Sequence, residues 1–205
     1  MKYTRGIIGV DEVGRGAWAG PFVACAVAVG KADRVLKGVK DSKEYLELKR
    51  NKIADELTCR HFWGLGVVTV EELNEIGLAR AQILVFERAV GALSCHPGQV
   101  QDPIHRIPDK AGMTNRIIID GRRIKSHPEW EAVVDGDAKI YAIAAASVIA
   151  KVARDQMMRD LHVIDNRYGF DQHKGYGTAL HDKMLKMHGV SPHHRRSFMP
   201  MRKMV

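Results

Sequence analysis

The chain has 205 residues, 45% hydrophobic and 27% charged, a balance that suits a folded globular protein and excludes a disordered or repetitive polymer. Lys and Arg number 32 against 24 Asp and Glu, a formal charge of +8 before the ten histidines are counted, which fits a polyanionic partner or simply a basic surface. Cys25, Cys59 and Cys95 form no CxxC pair and no apolar run reaches the roughly 18 residues of a membrane span, so the expectation is one cytoplasmic domain over 1–205, with reduced thiols, no membrane partner and a monomeric state.

In chain order, residues 5–12 (RGIIGVDE) and 22–29 (FVACAVAV) read as strands joined by the glycine-rich stretch Gly14 to Pro21, a hairpin with a wide connection. The second run is apolar almost throughout, as a strand covered on both faces requires, and Cys25 is expected to pack there as a small hydrophobe. After a polar loop at Lys37–Lys43, residues 45–57 carry Leu46, Ile53 and Leu57 in a helical pattern, and a strand follows at 61–70. Residues 71–93 read as helix, with Leu78, Val85, Ala89 and Leu93 near one face and Gly77 able to divide it in two. Residues 94–115, rich in proline and without an apolar period, read as a long surface loop.

A short strand is expected at Arg116–Asp120, and the segment through Trp130 to Asp137 has room for another. The clearest helix runs from about Ala138 to Ile164, with Ile140, Ile143, Ala144, Ser147, Val148 and Lys151 at helical spacing and small residues for tight packing. A further short helix is expected near Thr178–Met187, between HKGYGT and the basic HHRR segment. Strands alternating with helices point to an α/β or α+β domain.

Asp11 and Glu12 end the first strand, and Asp120 ends the RIIID run. An ionised carboxylate near a core is costly to desolvate, and a divalent cation is the strongest local compensation. Asp137, ahead of the long helix, reads either as an N-cap accepting backbone N–H bonds or as a further ligand. Oxygen donors without a nearby Cys or His cluster select a hard cation, Mg2+ or Mn2+, over zinc. Two such ions about 3.5–4 Å apart suit phosphodiester hydrolysis.

Asp155 lies roughly 18 residues beyond Asp137, about 27 Å along a straight helix, and cannot share that metal. It is expected to pair with Arg154, Arg159 or a partner elsewhere. Glu44, Glu47, Asp55 and Glu56 read as a solvated helix face. Most histidines read as surface or phosphate-facing residues, and His181, His188, His193 and His194 lack the spacing of a zinc site.

The segment Gly9-Val-Asp11-Glu12-Val-Gly14-Arg15-Gly16-Ala-Trp-Ala-Gly20-Pro21 resembles the N-terminal signature of the ribonuclease HII family, GxDExGRGxxxGP. Asp41-Ser42-Lys43, IIIDG at 117–121, GDAKIYAIAAASVIAKVARD at 136–155, HKGYGT at 173–178 and SPHHRRSF at 191–198 are similar to later family segments in the same order. The resemblance implies an α/β ribonuclease H-like fold, a central mixed sheet flanked by helices, with extra C-terminal helices in residues 165–205 bounding a substrate groove. It implies Asp11, Glu12, Asp120 and Asp137 as the catalytic and metal-binding set, holding Mg2+ or Mn2+, two ions with substrate bound.

The resemblance further implies that Gly14, Arg15 and Gly16 contact the 2′-hydroxyl of a ribonucleotide and that Tyr176 lies against the following sugar. Read by themselves these residues are a tight strand-connecting turn and a loop tyrosine. Lys43, His173, Lys174, Arg195 and Arg196 are further candidates for phosphate contacts. The implied activity is hydrolysis 5′ of a ribonucleotide, in RNA–DNA hybrids or at single ribonucleotides embedded in duplex DNA, leaving 3′-hydroxyl and 5′-phosphate ends. That would place the enzyme in ribonucleotide excision during DNA replication and repair.

Arg15, and the roughly ten residues before Asp11, favour this family over the related ribonuclease HIII, which usually lacks that arginine and carries an extra N-terminal substrate-binding domain. The 94–115 connection is longer than the family pattern but falls between elements, where insertions are tolerated. Two other readings stay open on the residues: a different nuclease on the same scaffold, such as a junction resolvase, and a basic protein that binds nucleic acid without cutting it.

Overall fold

The computed structural model describes residues 6–30, 35–36, 38–39, 45–93 and 116–204. Lys43, Cys95 and the 94–115 connection lie outside the described residues.

Strands β1 (Ile7–Val13) and β2 (Phe22–Val29) pair antiparallel, and β3 (Phe62–Val68) pairs antiparallel with the far side of β2. On the other side of β1 come β4 (Ile117–Asp120) and β5 (Glu131–Val133), both parallel, so the mixed sheet has the order β3-β2-β1-β4-β5. The helices are α1 (Glu47–Arg60), α2 (Val70–Ala92), α3 (Gly136–Lys139), α4 (Tyr141–Ile164), α5 (Phe170–His173) and α6 (Ala179–His188).

Successive strand residues face opposite sides of a sheet, and β2 uses both sides for core. Cys25, Val27 and Val29 pack with Leu57 of α1 and Ile143 and Val148 of α4, while Phe22, Ala24, Ala26 and Ala28 pack with Leu73, Val85 and Phe86 of α2. All eight residues are buried, which is why the run contains no polar side chain. Each large apolar side chain removed from water in these layers contributes about 1.5–3 kcal/mol.

The alanine-rich part of α4 lies directly on β1. A Cβ added at Gly9 would sit 2.4 Å from the backbone carbon of Ala142, so only glycine there permits the contact. This close approach aims the same face of α4 at the ends of β1 and β4.

One helix follows the sequence reading in detail and one departs from it. Gly77, at φ 76° and ψ 162°, kinks α2 as its position suggested, and Thr69 and Glu72 form a capping box at the start. The single helix expected from about Ala138 to Ile164 is instead α3 and α4, separated by Ile140 in an extended conformation at φ −125° and ψ 122°. Ile140 turns into the core beneath α4, and this corner brings α3 back over the strand ends. The last helices pack with Ala19 and Met158 in a third apolar cluster that includes Tyr168, Phe170 and Leu185. No helix among the described residues is long and apolar enough to cross a membrane.

Candidate active site

Strand register brings the first two aspartates together. β1 and β4 run parallel with Val10 beside Ile119, so Asp11 and Asp120 are the next residues along and occupy the same face. The corner at Ile140 supplies Asp137 from α3. Carboxylate oxygens of Asp11, Asp120 and Asp137 all lie within 4.8 Å of one another, the one such group of potential metal ligands among the described residues.

Glu12 is not in that group. As the neighbour of Asp11 on an extended strand it faces the opposite side of the sheet, where Gln82 of α2 hydrogen-bonds it. It still borders the same cavity, with Arg15 Nη1 3.7 Å from its Oε1 and its Oε2 buried without a hydrogen-bond partner. The alternation of strand side chains was the available signal that adjacent Asp and Glu would divide between two faces.

The N-cap reading of Asp137 is corrected by the structure. Asp135, in the left-handed region at φ 54°, precedes α3, and Asp137 stands inside its first turn. The capping bond comes from Asp120, whose Oδ1 accepts from the Gly136 amide at 2.7 Å. That bond ties α3 to the end of β4, beside which the Asp137 carboxylate joins the cluster.

Burial, then the charges of Glu12 and Asp120, raise the Asp11 carboxyl well above its ordinary range, against a hydrogen bond from Ser147 on α4. Burial likewise raises Glu12. Crowded oxygen donors of this kind are the chemistry a hard divalent cation satisfies, so the residues fit Mg2+ or Mn2+.

The cavity over these carboxylates has a volume of about 460 Å³ and is also lined by Val13, Gly14, Arg15, Gly16, Ser147, Lys151 and Tyr176. The glycine-rich turn and the tyrosine therefore open onto the space that holds the aspartates. Gly14 adopts φ +88°, and a Cβ there would lie 2.1 Å from Arg154 Nε, whereas a Cβ at Gly16 would meet nothing within 4 Å. Gly14 is required by the fold beneath it; Gly16 is open to whatever enters.

A family model described as Ribonuclease HII matches residues 8–201. The chain belongs to the ribonuclease HII family. A Ribonuclease HII from Thiobacillus denitrificans is 42% identical over 202 residues, covering 96% of this chain and 89% of the relative. Two solved structures share the fold: the ribonuclease H2 from Pyrococcus horikoshii, with TM-score 0.65, 23% identity and coverage of 97% and 96%, and Bst-RNase HIII in complex with Mn2+, with TM-score 0.73, 19% identity and coverage of 96% and 68%. The ribonuclease H-like fold expected from the sequence is the one observed, and membership makes the chain a metal-dependent endoribonuclease acting on RNA–DNA hybrids.

For a ribonuclease HII, several basic residues singled out in the sequence stand in unexpected places. Arg195 has no exposure and its guanidinium donates to main-chain carbonyls, so it does not meet a phosphate. His173 is buried with both ring nitrogens engaged, Nε2 with the Tyr168 carbonyl and Nδ1 accepting from the Gly175 amide. Lys174 hydrogen-bonds the Asp171 carbonyl, and Arg196 is exposed, its amide donating to Asn74 Oδ1 at 2.8 Å; neither lines the cavity. His61, His181 and His194 are buried too, against the expectation of surface histidines. Asp155 pairs with Lys151 at 2.7 Å and with Arg50 of α1 at 3.7 Å rather than with Arg154 or Arg159.

Ser147 and Lys151 are site residues to which the sequence reading gave no role. Their signal was present: a serine and a lysine four apart interrupt an otherwise apolar helix face, which places both on the side of α4 that covers the strand ends.

Proposed function

We propose that this member of the family hydrolyses the phosphodiester bond on the 5′ side of a ribonucleotide, in RNA–DNA hybrids and at single ribonucleotides embedded in duplex DNA, leaving 3′-hydroxyl and 5′-phosphate ends. The observation that carries this reading is one cavity bordered by Asp11, Asp120 and Asp137, by the Gly14–Gly16 turn and by Tyr176. A protein that only bound nucleic acid would have no use for three converging carboxylates, whose mutual repulsion works against the fold.

Asp11, Asp120 and Asp137 are assigned as holders of Mg2+ or Mn2+, with Glu12 bordering the site from the other face of the sheet and orienting water. Bound there, such ions would supply acidification of the attacking water and stabilisation of the departing 3′ oxygen. Ser147 fixes the Asp11 carboxylate, and the Gly136 amide fixes that of Asp120. Arg15 and Lys151 provide positive charge at the cavity wall for the phosphates. Gly14, Arg15 and Gly16 approach the ribose with main chain, and Tyr176 offers a ring and a hydroxyl to the next sugar. The enzyme acts as a cytoplasmic monomer in ribonucleotide excision, and its free thiols at Cys25 and Cys59 suit a reducing compartment.

The test is incubation of a duplex containing one ribonucleotide with the purified protein and Mg2+ or Mn2+, beside an all-DNA duplex and the Asp120→Asn variant. Ribonucleotide-dependent cutting by the wild type, lost in the variant, is expected. Equal cutting of the all-DNA duplex would point instead to a general nuclease.

A further inference from the structure

Among the described residues, Arg154 and Arg195 are the largest side chains that are fully buried. A guanidinium carries five N–H donors, and taking it out of water is costly unless they find acceptors. Arg195, from the C-terminal segment, donates from Nε to the Gly20 carbonyl at 3.0 Å, from Nη1 to those of Gly14 at 2.6 Å and Arg15 at 3.2 Å, and from Nη2 to those of Gly20 at 2.9 Å and Pro21 at 3.0 Å. Arg154, from α4, donates from Nε to the Pro21 carbonyl at 3.0 Å, from Nη1 to that of Lys174 at 2.9 Å and from Nη2 to that of Ala19 at 3.2 Å. Every one of these acceptors is main chain.

The bonds fall on both ends of the β1–β2 connection and on the loop that carries Tyr176. The Arg154 guanidinium also lies 5.3 Å from the centre of the Tyr176 ring. The two segments touch directly as well, since the Gly175 carbonyl accepts from the Trp18 amide at 2.8 Å. A peptide unit is planar and trans, so drawing the Gly14 and Arg15 carbonyls toward Arg195 turns the Arg15 and Gly16 amides away from it. Both residues border the cavity. Burial, then the nearby Arg154 charge, pulls the Arg195 guanidinium below its ordinary range, so this placement of two cations side by side is unfavourable in itself.

We propose that Arg195 and Arg154 are positioning residues for ribose discrimination, a carbonyl clamp that holds the Gly14–Gly16 turn at a fixed separation from Tyr176. The inference rests on the reading that this turn and this tyrosine recognise the ribose. Neither arginine touches the substrate. A lysine keeps the charge at either position but has a single nitrogen, and cannot hold several carbonyls in one plane.

The experiment uses the full chain as wild type, Arg195→Lys and Arg154→Lys. Binding of a duplex with one ribonucleotide and of its all-DNA counterpart is measured by fluorescence anisotropy in Ca2+, kcat and KM on the first duplex in Mn2+, and Mn2+ affinity by calorimetry without nucleic acid. The expected result is Mn2+ affinity within about twofold of wild type, with ribose preference in binding and kcat/KM both reduced roughly tenfold to a hundredfold, the scale of a misplacement of about 1 Å. A folded Arg195→Lys that keeps the wild-type ribose preference would overturn the clamp. If Arg195→Lys does not fold, Arg154→Lys, which loses fewer bonds, decides on the same readouts. A wild type without ribose preference would instead remove the reading beneath it, so the two failures are distinct.

Discussion

The Nε2 atoms of His181 and His194 lie 3.1 Å apart in the interior of the C-terminal region. Their outer nitrogens fix the tautomers. His194 Nδ1 accepts from the Ser191 amide at 3.1 Å, which puts its proton on Nε2, while His181 Nδ1 faces the Tyr176 carbonyl at 3.0 Å and donates to it. His194 thus donates to the bare Nε2 of His181, both rings are neutral, and the pair braces the main chain at Tyr176. His173 stacks on His181 with ring centres 4.2 Å apart.

Acid should loosen this region. Burial pulls His181 and His194 from 6.5 down to about 4, so between those values the unfolded chain binds protons that the folded chain does not. Their contribution is fully present above about 6.5 and is lost as pH falls toward about 4. Urea midpoints measured across that window should fall with pH for the wild type and fall less steeply for His194→Gln. A parallel decline in both proteins would contradict the neutral pair.

The carboxylate cluster has the opposite sign. The Asp11 pKa is higher folded than unfolded, so its stabilising effect is complete below the unfolded value and disappears as pH rises through the folded one. At about pH 7 in chelator, Asp11→Asn should therefore raise the melting temperature by a few degrees, about 1 kcal/mol. Added Mn2+ should stabilise the wild type and leave the variant nearly unmoved, reversing their order. A variant less stable than the wild type in chelator would show that repulsion does not dominate at Asp11.

Asp155 sits between Lys151 and Arg50, almost fully buried. Asp155→Ala leaves two partly buried cations facing each other without their shared anion and should cost about 3–5 kcal/mol in chemical denaturation. A loss under about 1 kcal/mol would mean that water or other groups take over the pairing.

The two glycines of the turn should separate fold from function. Gly14→Ala forces a side chain into Arg154 from a left-handed backbone, and should lower stability by more than about 2 kcal/mol. Gly16→Ala meets open space and should melt within about 0.5 kcal/mol of wild type while kcat/KM on a ribonucleotide duplex falls at least about tenfold. Unchanged turnover in Gly16→Ala would put the ribose elsewhere.

Much of the fold was legible because it follows from local patterns. The uninterrupted apolar run of β2 announces a strand covered on both faces, Gly77 marks the kink in α2, and acidic residues late in β1 and at the end of β4 mark the site. What the sequence concealed depends on distant partners. Arg195 in a basic segment looks like a surface residue, and only contact with carbonyls near residues 14–21 makes it a core one. Asp137 resembles a cap because it stands before the long helix, while the group that caps α3 comes from Asp120 at the end of β4. The buried histidines show the same limit, since a neutral imidazole with both nitrogens paired is a core residue that hydropathy counts as polar.

On the proposed function, one cavity both reads a ribose and cuts the bond before it. Its most direct test is mapping of the cut at single-nucleotide resolution in an end-labelled duplex with one ribonucleotide, with chemical analysis of both new ends. A single break 5′ of the ribonucleotide is expected, with a 3′-hydroxyl that a polymerase extends and a 5′-phosphate on the ribose. A break on the 3′ side, or a 2′,3′-cyclic phosphate made by the ribose's own hydroxyl, would contradict it.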